Sequence, residues 1–192
     1  MTSHRPRGNL SDTIAFLITN FTEMNRLWVR LQYVGPAKDA AKRRAERREM
    51  RTLIGMNLVQ LSQVDGMTLS LYKGGLLSRI LDQVIACRDD VAQDYLLDSI
   101  IQVFPDHFHL ATSTSLMEAI GETVATVDHY RLLVSLIERI HTAFTTKNKE
   151  HATFFATFLQ DMANTLKVHS SLLFKKGICV LMGRSKEKRT AW

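Results

Sequence analysis

Three observations predict an all-α chain built as a HEAT-like α-solenoid of antiparallel helix pairs. Apolar residues recur at spacings of three and four along most of the 192 residues, as one face of a 3.6-residue helix requires. No stretch shows the period-two alternation of a half-buried strand. The links between periodic segments are short, so neighbouring helices should pack antiparallel, and the turn-to-turn spacing of about 40 residues is near that of HEAT repeats.

The central pair shows this best. Leu76, Leu77, Ile80, Leu81, Val84 and Ile85 form one stripe of a first helix. Asp89 and Asp90 then offer carboxylates to the free N–H groups that open a second. Val91, Ala92, Tyr95, Leu96, Leu97, Ile100, Ile101, Val103 and Phe104 leave that second helix little polar face, which predicts enclosure between neighbours. Pro105 cannot donate to the helical ladder and should end it.

The other elements follow in chain order. Ser11 is the expected N-cap of a helix whose stripe is Ile14, Leu17, Ile18, Phe21, Met24, Trp28 and Leu31, stopped by Gly35-Pro36. The next helix opens in charge and turns apolar only from Met50, through Leu53, Ile54, Leu58 and Leu61. Its N-terminal half is therefore expected to project beyond the packed layer. Asp65-Gly66 marks a turn. Asp106 to Thr114 reads as a loop, Ser115 to Val127 as a helix, and Asp128 as the N-cap of a helix carrying Tyr130, Leu133, Val134, Ile137, Ile140 and Phe144. After a loop at Lys147 to Lys149, Phe154, Phe155, Phe158, Leu159, Met162 and Leu166 complete a seventh helix. The expected organisation is a partial solenoid over residues 1–167 and a basic tail over 168–192.

Composition bounds the function. The hydrophobic content of 45% in a chain of this length supports one sizeable core, without staples. Cys87 and Cys179 form no disulfide framework, which points to a reducing, cytoplasmic setting. No apolar run reaches membrane-spanning length. The net charge of +6 is concentrated: residues 38–51 carry +4 and residues 167–192 carry +6, so the rest of the chain is net acidic. That distribution argues against a fold that grips nucleic acid over its whole surface.

The search for chemistry yields one candidate contact site. Arg43, Arg44, Arg47, Arg48 and Arg51 crowd successive turns of one helix and could meet an acidic partner, an anionic membrane or nucleic acid. Glu46 and Glu49 interrupt the cluster and no aromatic residue lies within it to stack on a base, so a solvated charged face is the simpler reading. His107 and His109 beside Asp106 lack a further metal-ligand motif and read as turn histidines. Asp89, Asp90 and Asp94 are better explained by helix capping than by acid–base chemistry. No nucleophile–base or phosphate-loop pattern is present, so no catalytic, cofactor-binding or metal residue is expected, and the chain is not expected to be an enzyme.

Several runs add a resemblance. LSDTIAFLITNFTEMNRLWVRLQ (10–32), RRAERREMRTLIGMNLVQLSQVDG (43–66) and ILDQVIACRDDVAQDYLLDSIIQVFPDHFHL (80–110) resemble the large α-solenoid subunit of retromer, the vacuolar protein sorting 35 family. The most specific stretches are NRLWVRLQ (25–32), NLVQLSQVDG (57–66) and IIQVFPD (100–106), with looser similarity in LLVSLIERI (132–140) and over 155–166. The resemblance covers about residues 8–167.

It implies a solenoid that scaffolds a coat moving cargo from endosomes to the Golgi or the cell surface. The implied partners are an arrestin-like subunit and a metallophosphoesterase-like subunit. Sorting nexins and a small GTPase supply the link to the endosome membrane, with no nucleic acid expected. The family protein is several times longer. Its N-terminal Pro-Arg-Leu-Tyr-Leu-Met helix and its C-terminal half have no counterpart here, and His107 stands where the family usually has glutamate. The expectation is thus a piece of a longer scaffold or a truncated form of one, with no partner-contact residue of the family carried over. The alternative reading is a free-standing helical module that binds acidic partners or nucleic acid through Lys38 to Arg51.

Overall fold

The structure is a computed structural model that describes residues 9–33 and 35–145. Helix α1 spans Leu10–Tyr33, and α2 spans Ala40–Ser62 after a single 3₁₀ turn at Ala37–Asp39. A short helix α3, Leu69–Leu71, runs through a π-helical turn, Tyr72–Leu76, into α4, Leu77–Ala86. Helices α5 (Asp90–Val103), α6 (Asp106–Glu122) and α7 (His129–Thr145) follow. The seventh predicted helix, around Phe154 to Leu166, and the 168–192 tail lie outside the described residues.

Cross-contacts fix the direction of each helix. Trp28, late in α1, meets Arg47, early in α2, so those two run antiparallel. Asn25 of α1 reaches the Gln83 carbonyl late in α4, and the start of α1 (Asn9 to Ile14) lies beside Leu76 and Arg79, so α1 and α4 run the same way. Arg47 meets Asp89 and Arg51 lies over Tyr95, so α2 and α5 share a direction. Arg131 meets Asp94 and Asp98, and Arg139 reaches Gln102 and Phe104, so α5 and α7 share it too. Three antiparallel pairs, α1/α2, α4/α5 and α6/α7, therefore stack with like helices in register. This is the all-α solenoid the periodicity predicts.

Burial follows the stripes. Ile14, Leu17, Ile18, Phe21 and Trp28 of α1 meet Ile54, Leu58 and Leu61 of α2, while Ile80, Leu81 and Val84 of α4 and Leu96, Leu97, Ile100 and Ile101 of α5 continue one core. Tyr72 lies between Phe104 (ring centroids 4.6 Å apart) and Phe108 (5.1 Å) where α5 and α6 meet the π-turn. Burial there raises the Tyr72 phenol well above its ordinary value.

Four local expectations are corrected. Asn9, not Ser11, caps α1: its Oδ1 accepts from the Ser11 N–H at 3.0 Å. The linker after Asp65-Gly66 is partly helical, because the Thr68 hydroxyl accepts from the Leu71 N–H and opens α3. Gly75 then takes φ +129° in the π-turn, a conformation that a side chain would strain. Asp106 to Thr114 is helix rather than loop. Pro105 ends α5, yet its fixed φ of −62° and extended ψ are ideal just ahead of a new helix, and α6 starts at once. That helix stops at Glu122, so the buried Val127 packs from a turn closed by its own N–H onto the Val124 carbonyl. Gly35 (φ +111°), the Asp89 cap and the Asp128 cap match expectation.

The α5–α6 junction shows how the backbone is satisfied. In a continuing helix the N–H of residue 105 would bond the Ile101 carbonyl, but Pro105 has none. The His109 Nε2, one turn into α6, supplies that bond at 2.9 Å. An Arg139 Nη2 donates to the Gln102 and Phe104 carbonyls, both at 3.3 Å, while its Nε pairs with Asp106 at 2.8 Å. His109 is therefore a buried helix residue, not a turn histidine, and desolvation lowers its pKa to about 4.

A pH dependence follows. Between about 4 and 6.5 the unfolded chain binds a proton that the folded chain refuses, so stability is complete above that window and falls as pH drops through it. The loss should approach about 3 kcal/mol. His129, lowered by the same cause, adds in the same direction. Urea titrations between pH 7 and 4 should show the fall, and His109→Gln should flatten it.

Candidate partner-contact surface

The five arginines predicted as one contact patch separate once α2 is placed. A helix turns 100° per residue, so Arg43, Arg47, Met50, Ile54, Leu58 and Leu61 lie on a single stripe. The inward face of α2 thus extends through the charged half. Arg43 donates from Nη1 to the Pro36 carbonyl at 2.7 Å and folds back on the preceding turn. Arg47 donates from Nη2 to Asp89 Oδ1 at 3.0 Å, its side chain 20% exposed against 1% for the carboxylate. The N-terminal half of α2 therefore does not project free of the layer, because a buried ion pair holds it to α5.

Aromatic rings complete that anchor. The Arg47 guanidinium lies 5.6 Å from the centre of the Trp28 ring. Trp28 stands edge-on to Tyr95 at 5.6 Å, and the Arg51 guanidinium covers Tyr95 at 4.2 Å. The Tyr95 hydroxyl donates to the Arg51 carbonyl at 3.1 Å. Cation–π contacts of this kind contribute about 0.5–2 kcal/mol each. Arg44, Arg48 and Arg51 are all exposed with no ion pair among the described residues, and of the three Arg51 alone is held, by its guanidinium over Tyr95.

The acidic candidates also resolve. Asp89 Oδ1 accepts from the Ala92 N–H at 2.8 Å and so caps α5 while holding Arg47. Asp94 and Asp98 both bind Arg131, at 2.8 and 3.0 Å, which ties α5 to α7. Among the described residues no three His, Cys, Asp or Glu side chains gather closely enough to hold a metal ion.

Sequence reasoning missed Gln93. It is fully buried, donates from Nε2 to the Val84 and Ile85 carbonyls at 3.1 Å each, and accepts from the Val124 N–H at 2.9 Å. One amide thus closes the end of α4 and pins the loop after α6. The available signal was a polar residue in register, three, four and seven positions on, with the apolar Leu96, Leu97 and Ile100.

The surface so assembled is a layered helical stack with an anchored basic helix. The family model for vacuolar protein sorting-associated protein 35 matches residues 1–183. The chain belongs to the vacuolar protein sorting-associated protein 35 family. The match runs past residue 167, into the stretch the sequence reads as a separate basic tail. Vacuolar protein sorting-associated protein 35A of Arabidopsis thaliana is 48% identical over 129 residues, 67% of this chain and 16% of that protein. The Dictyostelium discoideum vacuolar protein sorting-associated protein 35 is 43% identical over 143 residues, 74% of this chain and 18% of that protein. The Schizosaccharomyces pombe protein of the same name is 40% identical over 134 residues, 70% and 16% respectively. The chain thus spans 16–18% of the length of these relatives.

Proposed function

We propose that this member of the vacuolar protein sorting-associated protein 35 family is a scaffold segment of the retromer coat, in endosome-to-Golgi and recycling transport. The observation that carries the reading is the family match over residues 1–183, on a stack of helix pairs that presents surfaces rather than a reactive cleft. The mechanism is geometric: each pair buries its apolar stripe on the next, so the array holds its partners at fixed spacing and angle. The partners in this reading are the arrestin-like and metallophosphoesterase-like retromer subunits. Sorting nexins and a small GTPase bring the assembly to the cytoplasmic face of the endosome. No helix among the described residues is long and apolar enough to cross a membrane, which is compatible with peripheral attachment.

Phe16 and Leu27 of α1 and Leu53 and Met56 of α2 are 49–68% exposed. Helical register puts Phe16, Leu27 and Met56 opposite the buried stripes of their helices and Leu53, which the sequence assigns to the inward stripe of α2, at the flank of that stripe, because 100° separates it from Ile54. In this reading they are an apolar end of the stack on which another helix pair packs. The isolated chain should therefore self-associate in sedimentation experiments, and a monodisperse monomer at high concentration counts against the reading. The direct test is capture of this chain by each of the two retromer subunits, with RNA as a charge control. Capture by either subunit supports the scaffold. Capture by neither, with salt-sensitive RNA binding, favours the basic module instead.

Within the basic cluster, Arg44 and Arg48 are the residues we assign to an acidic partner surface, since Arg43, Arg47 and Arg51 already have partners in the fold. Arg44→Gln with Arg48→Gln should weaken any salt-sensitive capture and leave the melting temperature unchanged. Arg47→Gln should lower the melting temperature instead.

A further inference from the structure

Three cavities follow one another along the seam between α1 and α4. The first, about 490 Å³, lies among Asn9, Ser11, Leu71, Gly74, Gly75 and Arg79. The next, about 340 Å³, shares Arg79 with it and adds Thr19, Thr22, Glu23, Arg26 and Gln83. The third, about 800 Å³, shares Glu23, Arg26 and Gln83 and ends at Arg30, Ala86 and Cys87. Shared walls make them one furrow. From Ile14 to Arg30 along α1 it runs about 24 Å, the reach of seven or eight extended residues.

We propose that this furrow is a docking groove for an extended acidic segment of another protein. Three features carry the proposal. First, the depressions are continuous, Arg79 walling the first two and Glu23, Arg26 and Gln83 the last two, so a single extended segment can follow them. Second, Arg30 and Arg79 stand along the furrow with no counter-ion among the described residues. The acidic groups there are Asp82 and Glu23, and Arg26 already binds Glu23 at 2.7 Å, so the walls are net cationic. Third, a Cβ on Gly74 would meet nothing within 4 Å, so the furrow floor is open at that end.

The proposal is separate from the scaffold reading and stands or falls without it. The test uses the whole chain and peptides of about eight residues alternating leucine with glutamate, or leucine with lysine, in fluorescence anisotropy at low and high salt. The acidic peptide should bind, more weakly at high salt, and the basic one should not. Arg30→Glu with Arg79→Glu, and separately Gly74→Leu, should each weaken binding about tenfold or more with an unchanged melting temperature. Arg44→Gln with Arg48→Gln should leave it unchanged. The proposal is overturned if both peptides bind alike, if the furrow variants bind as the parent does, if only the α2 variant loses binding, or if no binding is seen up to about 1 mM peptide.

Discussion

Replacing Asp89 with alanine should destabilise the chain by about 3–5 kcal/mol, the range for breaking a buried ion pair by removing one partner. The substitution strands the Arg47 guanidinium against Trp28, because the Oδ1 that accepts from its Nη2 at 3.0 Å is lost. It also removes the acceptor that caps α5 through the Ala92 N–H at 2.8 Å, a loss of about 1 kcal/mol in its own right. For a chain of this size the melting temperature should fall by about 10 °C. Asp89→Asn keeps an acceptor for the cap and removes the charge, so it should retain part of the stability. A double-mutant cycle with Arg47→Gln separates the pair from the cap. If Asp89→Ala melts within about 2 °C of the parent, the anchor described between α2 and α5 is wrong.

Gln93→Met should cost about 2–4 kcal/mol, although methionine fills nearly the same volume. The side chain is fully buried and serves three backbone groups: the Val84 and Ile85 carbonyls and the Val124 N–H. Methionine satisfies none of them. The effect should also be local in a telling way. Hydrogen exchange at Val124 should accelerate more than exchange in the α1/α2 pair, since Gln93 joins α4, α5 and the loop after α6. Gln93→Glu tests the geometry from the other side, because a carboxylate still accepts from Val124 but repels the two carbonyls. It should be at least as damaging as methionine.

Much of the fold could be read in the order of residues. The stripes of α1 and α4 were legible because each buries one face, and burial of one face imposes a 3.6-residue period on the sequence itself; in α7 the reading caught Leu133 and Ile140 but not the fully buried Leu132 and Leu136, and α5, read as apolar nearly all round, leaves Val91 48% exposed. Asp89, Asp128 and Gly35 were legible for a similar reason, since capping is a contact between a residue and its own neighbours in the chain. The start of α6 was misread because Pro105 is both a terminator and a good residue ahead of a helix, and local sequence does not separate the two roles.

The candidate surface was less legible. Arg43, Arg44, Arg47, Arg48 and Arg51 look alike in a string, and only the placement of Trp28, Tyr95 and Asp89 divides them into anchored and exposed. The string also gave no hint that His109 answers the donor missing at Pro105, that Gln93 serves two other segments, or that the α1/α4 seam is open. These belong to tertiary structure because a charge or a buried amide contributes through what stands opposite it, and its partner is brought there by folding from tens of residues away. Periodicity, caps and breaks belong to sequence because their physics acts within one turn of helix.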